Sequence, residues 1–232
     1  MVIYAVGDLH GRSDLMDRML AKIRTDAALR MASRKVLVYL GDYVDRGHDS
    51  RGVIQRLLDG PPPGFEQVCL IGNHEAWLLD FLQNTASGPG WLMNGGAATL
   101  ASYGVQAGHG LGASPERLTR MQREFAEALP AEHLAFLEEL ELYWAAGDYA
   151  FVHAGIRPGA PLDRQREEDL LWIRDDFLYS NADFGPMIVH GHTVTEAPEQ
   201  MENRIGIDTG AFMSGRLTCL ALEGSDRRFI QT

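Results

Sequence analysis

Gly41-Asp42-Tyr43-Val44-Asp45-Arg46-Gly47 follows directly on the apolar run Val36-Leu37-Val38-Tyr39-Leu40. That run has the length and the β-branched and aromatic content of a buried strand. Two carboxylates and a guanidinium therefore leave one strand end within a few residues, between glycines that let the backbone turn sharply. The same pattern recurs on either side. Val2-Ile3-Tyr4-Ala5-Val6 reads as a strand ending in Gly7-Asp8-Leu9-His10-Gly11, and Gln67-Val68-Cys69-Leu70-Ile71 as one ending in Gly72-Asn73-His74-Glu75. In extended chain, residues two apart share a face, so Asp8 and His10 stand side by side. A polar cluster at one strand end is ordinary turn chemistry. Three in register point to a site.

Helices are expected between these strands. Ser13 is placed to cap one whose inward stripe is Leu15, Met16, Met19, Leu20 and Ile23. Val53, Ile54, Leu57 and Leu58 face inward on the next, stopped by Gly60 and three prolines. Trp77, Leu78, Phe81 and Leu82 are the buried face of a third. Strand–helix–strand order at this spacing indicates βαβ units and a largely parallel sheet, with ligands bound beyond the carboxyl ends of its strands.

Residues from about 85 to 147 change character and read as a mostly helical insertion within a single domain spanning 1–232. Gly88 to Gly96 reads as a glycine-rich loop, and no lysine follows it to make it a phosphate cradle. Pro115 and Pro130 each open a helix. Beyond them, Tyr149-Ala150-Phe151-Val152 is a short strand ending in His153, and Pro186-Met187-Ile188-Val189 another, ending in His190-Gly191-His192-Thr193. A lone histidine at a strand end is more often a hydrogen-bonded structural residue than a ligand. Here both fall where Asp8, Asp42 and Asn73 fall. Arg174 follows the apolar run Leu170-Leu171-Trp172-Ile173; taken alone it is a surface ion-pair residue. Arg204 to Gly210 and Leu217 to Leu222 read as a closing antiparallel hairpin.

Composition sets limits. The chain has 232 residues, 45% hydrophobic and 23% charged, which suits one globular α/β domain. No apolar run approaches the roughly 20 residues that span a bilayer, and Met1 leads straight into a strand with no room for a signal peptide. Cys69 and Cys219 lie in strand-like runs and read as two buried thiols in a reducing cytoplasm. A net charge of −11 disfavours nucleic acid and anionic membranes as partners. The oligomeric state is not legible.

The strand-end residues Asp8, His10, Asp42, Asn73, His153 and His192 suffice for two divalent ions if one ligand is shared. A carboxylate can give one oxygen to each ion, and Asp42 is the best-placed candidate. Mixed His, Asp and Asn ligation suits Mn²⁺, taken first here, or Fe or Zn²⁺, over Ca²⁺ or Mg²⁺. Two such ions bring four positive charges and the two aspartates return two. The surplus generates hydroxide near neutral pH and draws a phosphate dianion into an acidic protein. Arg46 and Arg174 are the candidate phosphate clamps, with Asn73 beside them. His74 is the candidate acid for the leaving oxygen, its tautomer held by Asp45.

Gly-Asp-x-His-Gly, Gly-Asp-x-x-Asp-Arg-Gly and Gly-Asn-His-Glu, in this order and followed by His153-Ala154-Gly155 and Gly191-His192, resemble the signature of the PPP-type metallophosphatases of the calcineurin-like superfamily. The match runs from Gly7 to Thr193, and Ile207-Asp208-Thr209-Gly210 resembles the family's terminal sheet. The resemblance implies a four-layer α/β/β/α sandwich with flanking helices, a dinuclear metal centre, and phosphomonoester hydrolysis by metal-activated water. It implies the same His74–Asp45 pair and Arg46 clamp. Arg157, four residues after His153, competes with Arg174 for the second clamp; His190 supports the site and Asp208 is structural. The compact length resembles bacterial and phage-type phosphoprotein phosphatases. It is similar also to the symmetrical diadenosine tetraphosphate hydrolases, which share these motifs. A third reading keeps the fold as a catalytically inactive phosphate-binding module. The stretch from Trp91 to Tyr103 lies where substrate selection is expected.

Overall fold

The computed structural model describes residues 1–107 and 114–232. Three strands run parallel at its centre: β1 (Val2–Val6), β2 (Lys35–Tyr39) and β3 (Phe65–Cys69), joined through helices α1 (Ser13–Ala28) and α2 (Ser50–Leu58). Helix α3 (Asn73–Gln83) leaves β3. Between α3 and strand β4 (Tyr143–Ala146) come helices α4 (Gly88–Trp91), α5 (Ala97–Ser102), α6 (Pro115–Ala128) and α7 (Ala131–Glu138). Residues 108–113 of the segment expected to be helical lie outside the described residues. Then follow β5 (Tyr149–Val152), α8 (Glu167–Trp172), α9 (Asp175–Leu178), β6 (Met187–His190), β7 (Glu199–Gln200), β8 (Arg204–Gly206), α10 (Ala211–Ser214), β9 (Thr218–Glu223) and β10 (Asp226–Gln231).

These strands form two five-stranded sheets, in the orders β10-β9-β1-β2-β3 and β4-β5-β6-β8-β7. The sheets pack face to face, with helices on both outer faces. β1 explains why the strand sequences are continuously apolar. Ile3 and Ala5 point into the layer between the sheets, with Val36, Val38, Phe151, Val189 and Ile205. Val2, Tyr4 and Val6 point the other way, onto Leu15, Met16, Met19 and Ile23 of α1 and Val53 and Ile54 of α2. A third apolar layer joins Ala150, Val152 and Ile188 of the second sheet to Leu170, Ile173 and Phe177. A strand covered on both faces has no polar side to alternate with.

Several local expectations are corrected. Ser13 does not cap α1; its hydroxyl donates to Asp49 at 2.5 Å, and Asp49 caps α2 through the Gly52 N–H at 3.0 Å. Leu58, at the last position of α2, is 36% exposed. Gly88 to Gly96 is helical, passing from α4 into a turn of π-helix over Leu92–Gly96. Pro89 starts it, and Gly95 absorbs the kink with φ of 115°. The two C-terminal runs are not a hairpin. β8 pairs parallel with β6 in one sheet, whereas β9 pairs antiparallel with β1 in the other. Gly210, with φ of 65°, and α10 turn the chain from one sheet to the other, and the hairpin is β9–β10. Both thiols are free, but Cys69, on edge strand β3, is only half-buried. No helix among the described residues is long and apolar enough to cross a membrane.

Candidate active site

β1, β2 and β3 run parallel in one sheet and β5, β6 and β8 in the other, so their carboxyl ends carry the polar clusters to a common edge. Hydrogen bonds across the layers fix the two sheets to each other there. His153, from the second sheet, faces the Leu40 carbonyl of the first through Nδ1 at 2.9 Å. The His192 backbone N–H donates to Asp8 at 3.0 Å.

Asp42 lies at the centre. Its Oδ2 is 3.4 Å from His10 Nε2 and its Oδ1 is 3.4 Å from His153 Nε2. Two candidate metal-holding groups share it: His10, Asp42 and His74 on one side, Asp42, His153 and His192 on the other. Asn73 Oδ1 lies 2.9 Å from His153 Nε2 and 2.8 Å from His192 Nδ1. Asp8 is buried and its Oδ1 has no hydrogen-bond partner. Nδ1 of His10 and of His153 donates to a backbone carbonyl, Val44 at 2.8 Å and Leu40 at 2.9 Å, so each Nε2 turns a lone pair inward. Burial pushes the His10 imidazole down to about 3. Burial and the neighbouring His153 push His192 down to about 2, so both rings are neutral, as ligands must be. Burial, with Asp208 and Asp42 close by, drives the Asp8 carboxyl well above its usual range. Carboxylate, amide and imidazole lone pairs thus converge on buried space, an arrangement that divalent cations satisfy. The residues present fit two ions.

The other expected residues divide. His74 Nδ1 meets Asp45 Oδ2 at 2.6 Å, with both residues buried. Burial would lower the His74 imidazole, but the charges of Asp42 and Asp45 outweigh it and raise it. Arg46 turns in, donating to His10 Nε2 at 2.9 Å and His74 Nε2 at 3.1 Å, with its guanidinium 4.7 Å from the Phe212 ring centre. Arg174 donates to Thr193, next to His192, at 3.2 Å. Arg157 is ion-paired with both Asp169 and Asp176. His190 stays apart from both groups, against Arg204 and its own turn. Asp208 accepts from the Gly210 N–H at 2.9 Å and lies beside Asp8.

Backbone strain concentrates here. The non-glycine residues with positive φ among those described are His10, Asp42, Asp45, Arg46 and His192. Such conformations cost about 1 kcal/mol each, a sizeable fraction of a typical stability of 5–15 kcal/mol. Sequence reasoning missed what offsets them. Glu75, buried on α3, accepts from four backbone N–H groups: Asp42 at 2.8, Tyr43 at 2.8, Val44 at 3.1 and Gly72 at 3.0 Å. Glu75→Gln sets an amide N–H₂ against backbone donors. It is expected to cost about 3 kcal/mol, read as a lower midpoint in urea unfolding of the metal-free protein. Trp91 was also misjudged. Its indole is fully buried and donates to Asp45 Oδ2 at 2.9 Å, while Thr99 donates to Oδ1 at 2.6 Å. The segment from Trp91 to Tyr103 thus holds the Asp45 carboxylate that meets His74. The glycines around Trp91 masked this, since they read as loop.

A buried carboxylate shared between two ligand groups, with a histidine–aspartate pair and arginines beside it, defines a metal-dependent phosphatase. The chain belongs to the calcineurin-like phosphoesterase family, whose model matches residues 1–210. It is 28% identical over 225 residues to serine/threonine-protein phosphatase 2 of Salmonella typhimurium strain LT2, covering 93% of this chain and 90% of that protein. It is 32% identical over 165 residues to a symmetrical bis(5′-nucleosyl)-tetraphosphatase of Acidovorax sp. strain JS42, covering 68% of this chain and 45% of that protein. Among solved structures, a cold-active protein tyrosine phosphatase superposes with a TM-score of 0.63 at 18% identity, covering all of this chain and 78% of that one; this likeness is one of fold.

Proposed function

We propose that this protein removes phosphate from phosphoproteins, with serine and threonine esters as substrates and tyrosine esters also admitted. Two divalent ions, Mn²⁺ first, would be held by Asp8, His10, Asp42, Asn73, His153 and His192. The observation that carries this reading is the division of the Asp42 carboxylate, one oxygen toward His153 and the other toward His10, each at 3.4 Å. A carboxylate so turned could give one oxygen to each of two ions, were both groups occupied.

When bound, the ions supply Lewis acidity and an activated water. The chain's own residues do the rest. Arg46 leaves the His10 and His74 nitrogens and donates to the phosphoryl oxygens, and Arg174 approaches from the Thr193 side, with Asn73 beside them. Arg157, neutralised by two carboxylates, is the poorer candidate for that clamp. Despite burial, Asp42 and Asp45 hold the His74 imidazole above its usual range, so with Arg46 moved off, Nε2 takes up a proton from solvent and gives it to the leaving oxygen while Nδ1–H donates to Asp45. Bound cations would offset the charge of Asp8, which burial otherwise disfavours. We read the chain as one domain with a helical insertion at about 85–147, acting in the cytoplasm on protein or small ester substrates and not on nucleic acid.

The second reading is symmetrical diadenosine tetraphosphate hydrolysis, favoured by the 32% identity to such an enzyme over part of the chain. The phosphoprotein reading has relatives at 28–29% identity aligned over nearly the whole length, against 25% for a tetraphosphatase aligned as fully. An inactive phosphate-binding module is disfavoured by the intact ligand set and acid pair. Incubation with Mn²⁺ and either a phosphoserine peptide or diadenosine tetraphosphate separates the three. Phosphate released from the peptide is expected. ADP release from the dinucleotide with the peptide untouched would replace the first reading with the second. Turnover of neither would leave the binding module.

A further inference from the structure

The rim of the site carries aromatic rings that none of the steps above uses. Trp77, one helical turn after His74 on α3, has its ring centre 6.2 Å from the His74 imidazole. Trp172, at the end of α8, has its ring centre 6.3 Å from His192. The two indoles meet edge to face, 5.1 Å apart at 88°. They span the mouth from the proton donor to the ligand on the opposite side. Trp172 is 39% exposed, whereas its neighbours Leu170, Leu171 and Ile173 are buried, so it does not serve as core filler. Indole surface held half-wet beside a polar site is a feature of recognition surfaces.

The chemistry of the leaving group decides what this surface takes. His74 protonates the leaving oxygen, so whatever that oxygen carries emerges past Trp77 and Trp172. A seryl methylene or threonyl methine is short and leaves the indoles solvated. An aryl group, joined through a single ester oxygen, brings a planar ring against them. We propose that Trp77 and Trp172 form an aryl subsite through which the tyrosine esters admitted beside serine and threonine esters bind with the lower KM. The inference rests on the phosphomonoesterase reading and adds to it the residues that set leaving-group preference.

The test uses the Mn²⁺-loaded full chain and two peptides of one sequence, bearing phosphotyrosine or phosphoserine. The ratio of KM for phosphoserine to KM for phosphotyrosine is expected to be about tenfold, the upper scale of one aromatic contact. It is expected to fall toward unity in Trp172→Ala and to return in Trp172→Phe. Phenylphosphonate, as a competitive inhibitor that is not hydrolysed, is expected to exceed methylphosphonate by a similar factor, with the same response to the variants. Equal KM values in the wild type, or a ratio unmoved by Trp172→Ala, would overturn the aryl subsite and leave the phosphatase reading intact. Turnover of diadenosine tetraphosphate in preference to both peptides would assign the indoles to a nucleobase and overturn it equally. No turnover of either peptide, with neither phosphonate binding, would overturn the phosphatase reading itself.

Discussion

Asp42→Asn is expected to abolish two-ion binding and cut turnover by on the order of a thousandfold or more. The His74 backbone N–H donates to Asp42 Oδ1 at 3.1 Å, so the amide oxygen of the variant keeps that position. The amide N–H₂ then faces His10, whose ring nitrogen lies 3.4 Å from the present Oδ2. A donor there repels a cation, and one negative charge is gone from the space between the two groups. Metal analysis after desalting is expected to find less than half the wild-type content. The fold itself is expected to survive. Burial opposes the charge of this carboxylate, but His153, His74, His10 and His192 around it hold it below its usual range, so the isosteric amide forfeits that attraction while keeping the shape and the His74 N–H bond. Circular dichroism matching the wild type, together with lost metal, separates ligand loss from unfolding. Full metal content with full turnover would remove Asp42 from its shared position.

His74→Asn is the second large effect and has a different signature. Metal content is expected to stay at the wild-type level, while kcat on a phosphoserine peptide falls by about 10²–10⁴, the usual range for a positioned acid. The loss on p-nitrophenyl phosphate is expected to be far smaller, because nitrophenolate leaves without a proton. His74 belongs with His10 and Asp42 to one candidate metal-holding group, so the alternative is concrete. If metal content falls with rate, the ring is a ligand. The geometry favours the acid: Nδ1 is occupied by Asp45 at 2.6 Å, and Nε2 is 3.9 Å from Asp42, farther than the His10 nitrogen at 3.4 Å.

The strand-end clusters were legible in the linear chain because a parallel strand ends where its apolar run ends, and the candidate ligands follow within four residues. Val6 leads to Asp8, Leu40 to Asp42, and Val152 to His153. The structure brings Asp8, His10, Asp42, Asn73, His74, His153 and His192 to one place. Supporting contacts were harder to read. Glu75 was visible as the last letter of a motif, but its four backbone partners come from residues 42, 43, 44 and 72. Only a folded turn brings those N–H groups within reach of one carboxylate. Trp91 misled because local composition, rich in glycine, favours a loop, while burial against Phe81 and Phe125 and a bond to Asp45 make a helix.

The amino-acid order alone determined the parallel strand–helix units and the identity of the residues at their ends, since both follow from short-range apolar pattern and turn chemistry. Which sheet each late strand joins was decided by the tertiary structure. β8 and β9 are separated by only eleven residues, α10 among them, yet they lie in opposite sheets because each apolar face must be covered. The same applies to the division of Asp42 between His10 and His153. A carboxylate's orientation depends on which chain segments surround it, and those segments come from opposite halves of the protein.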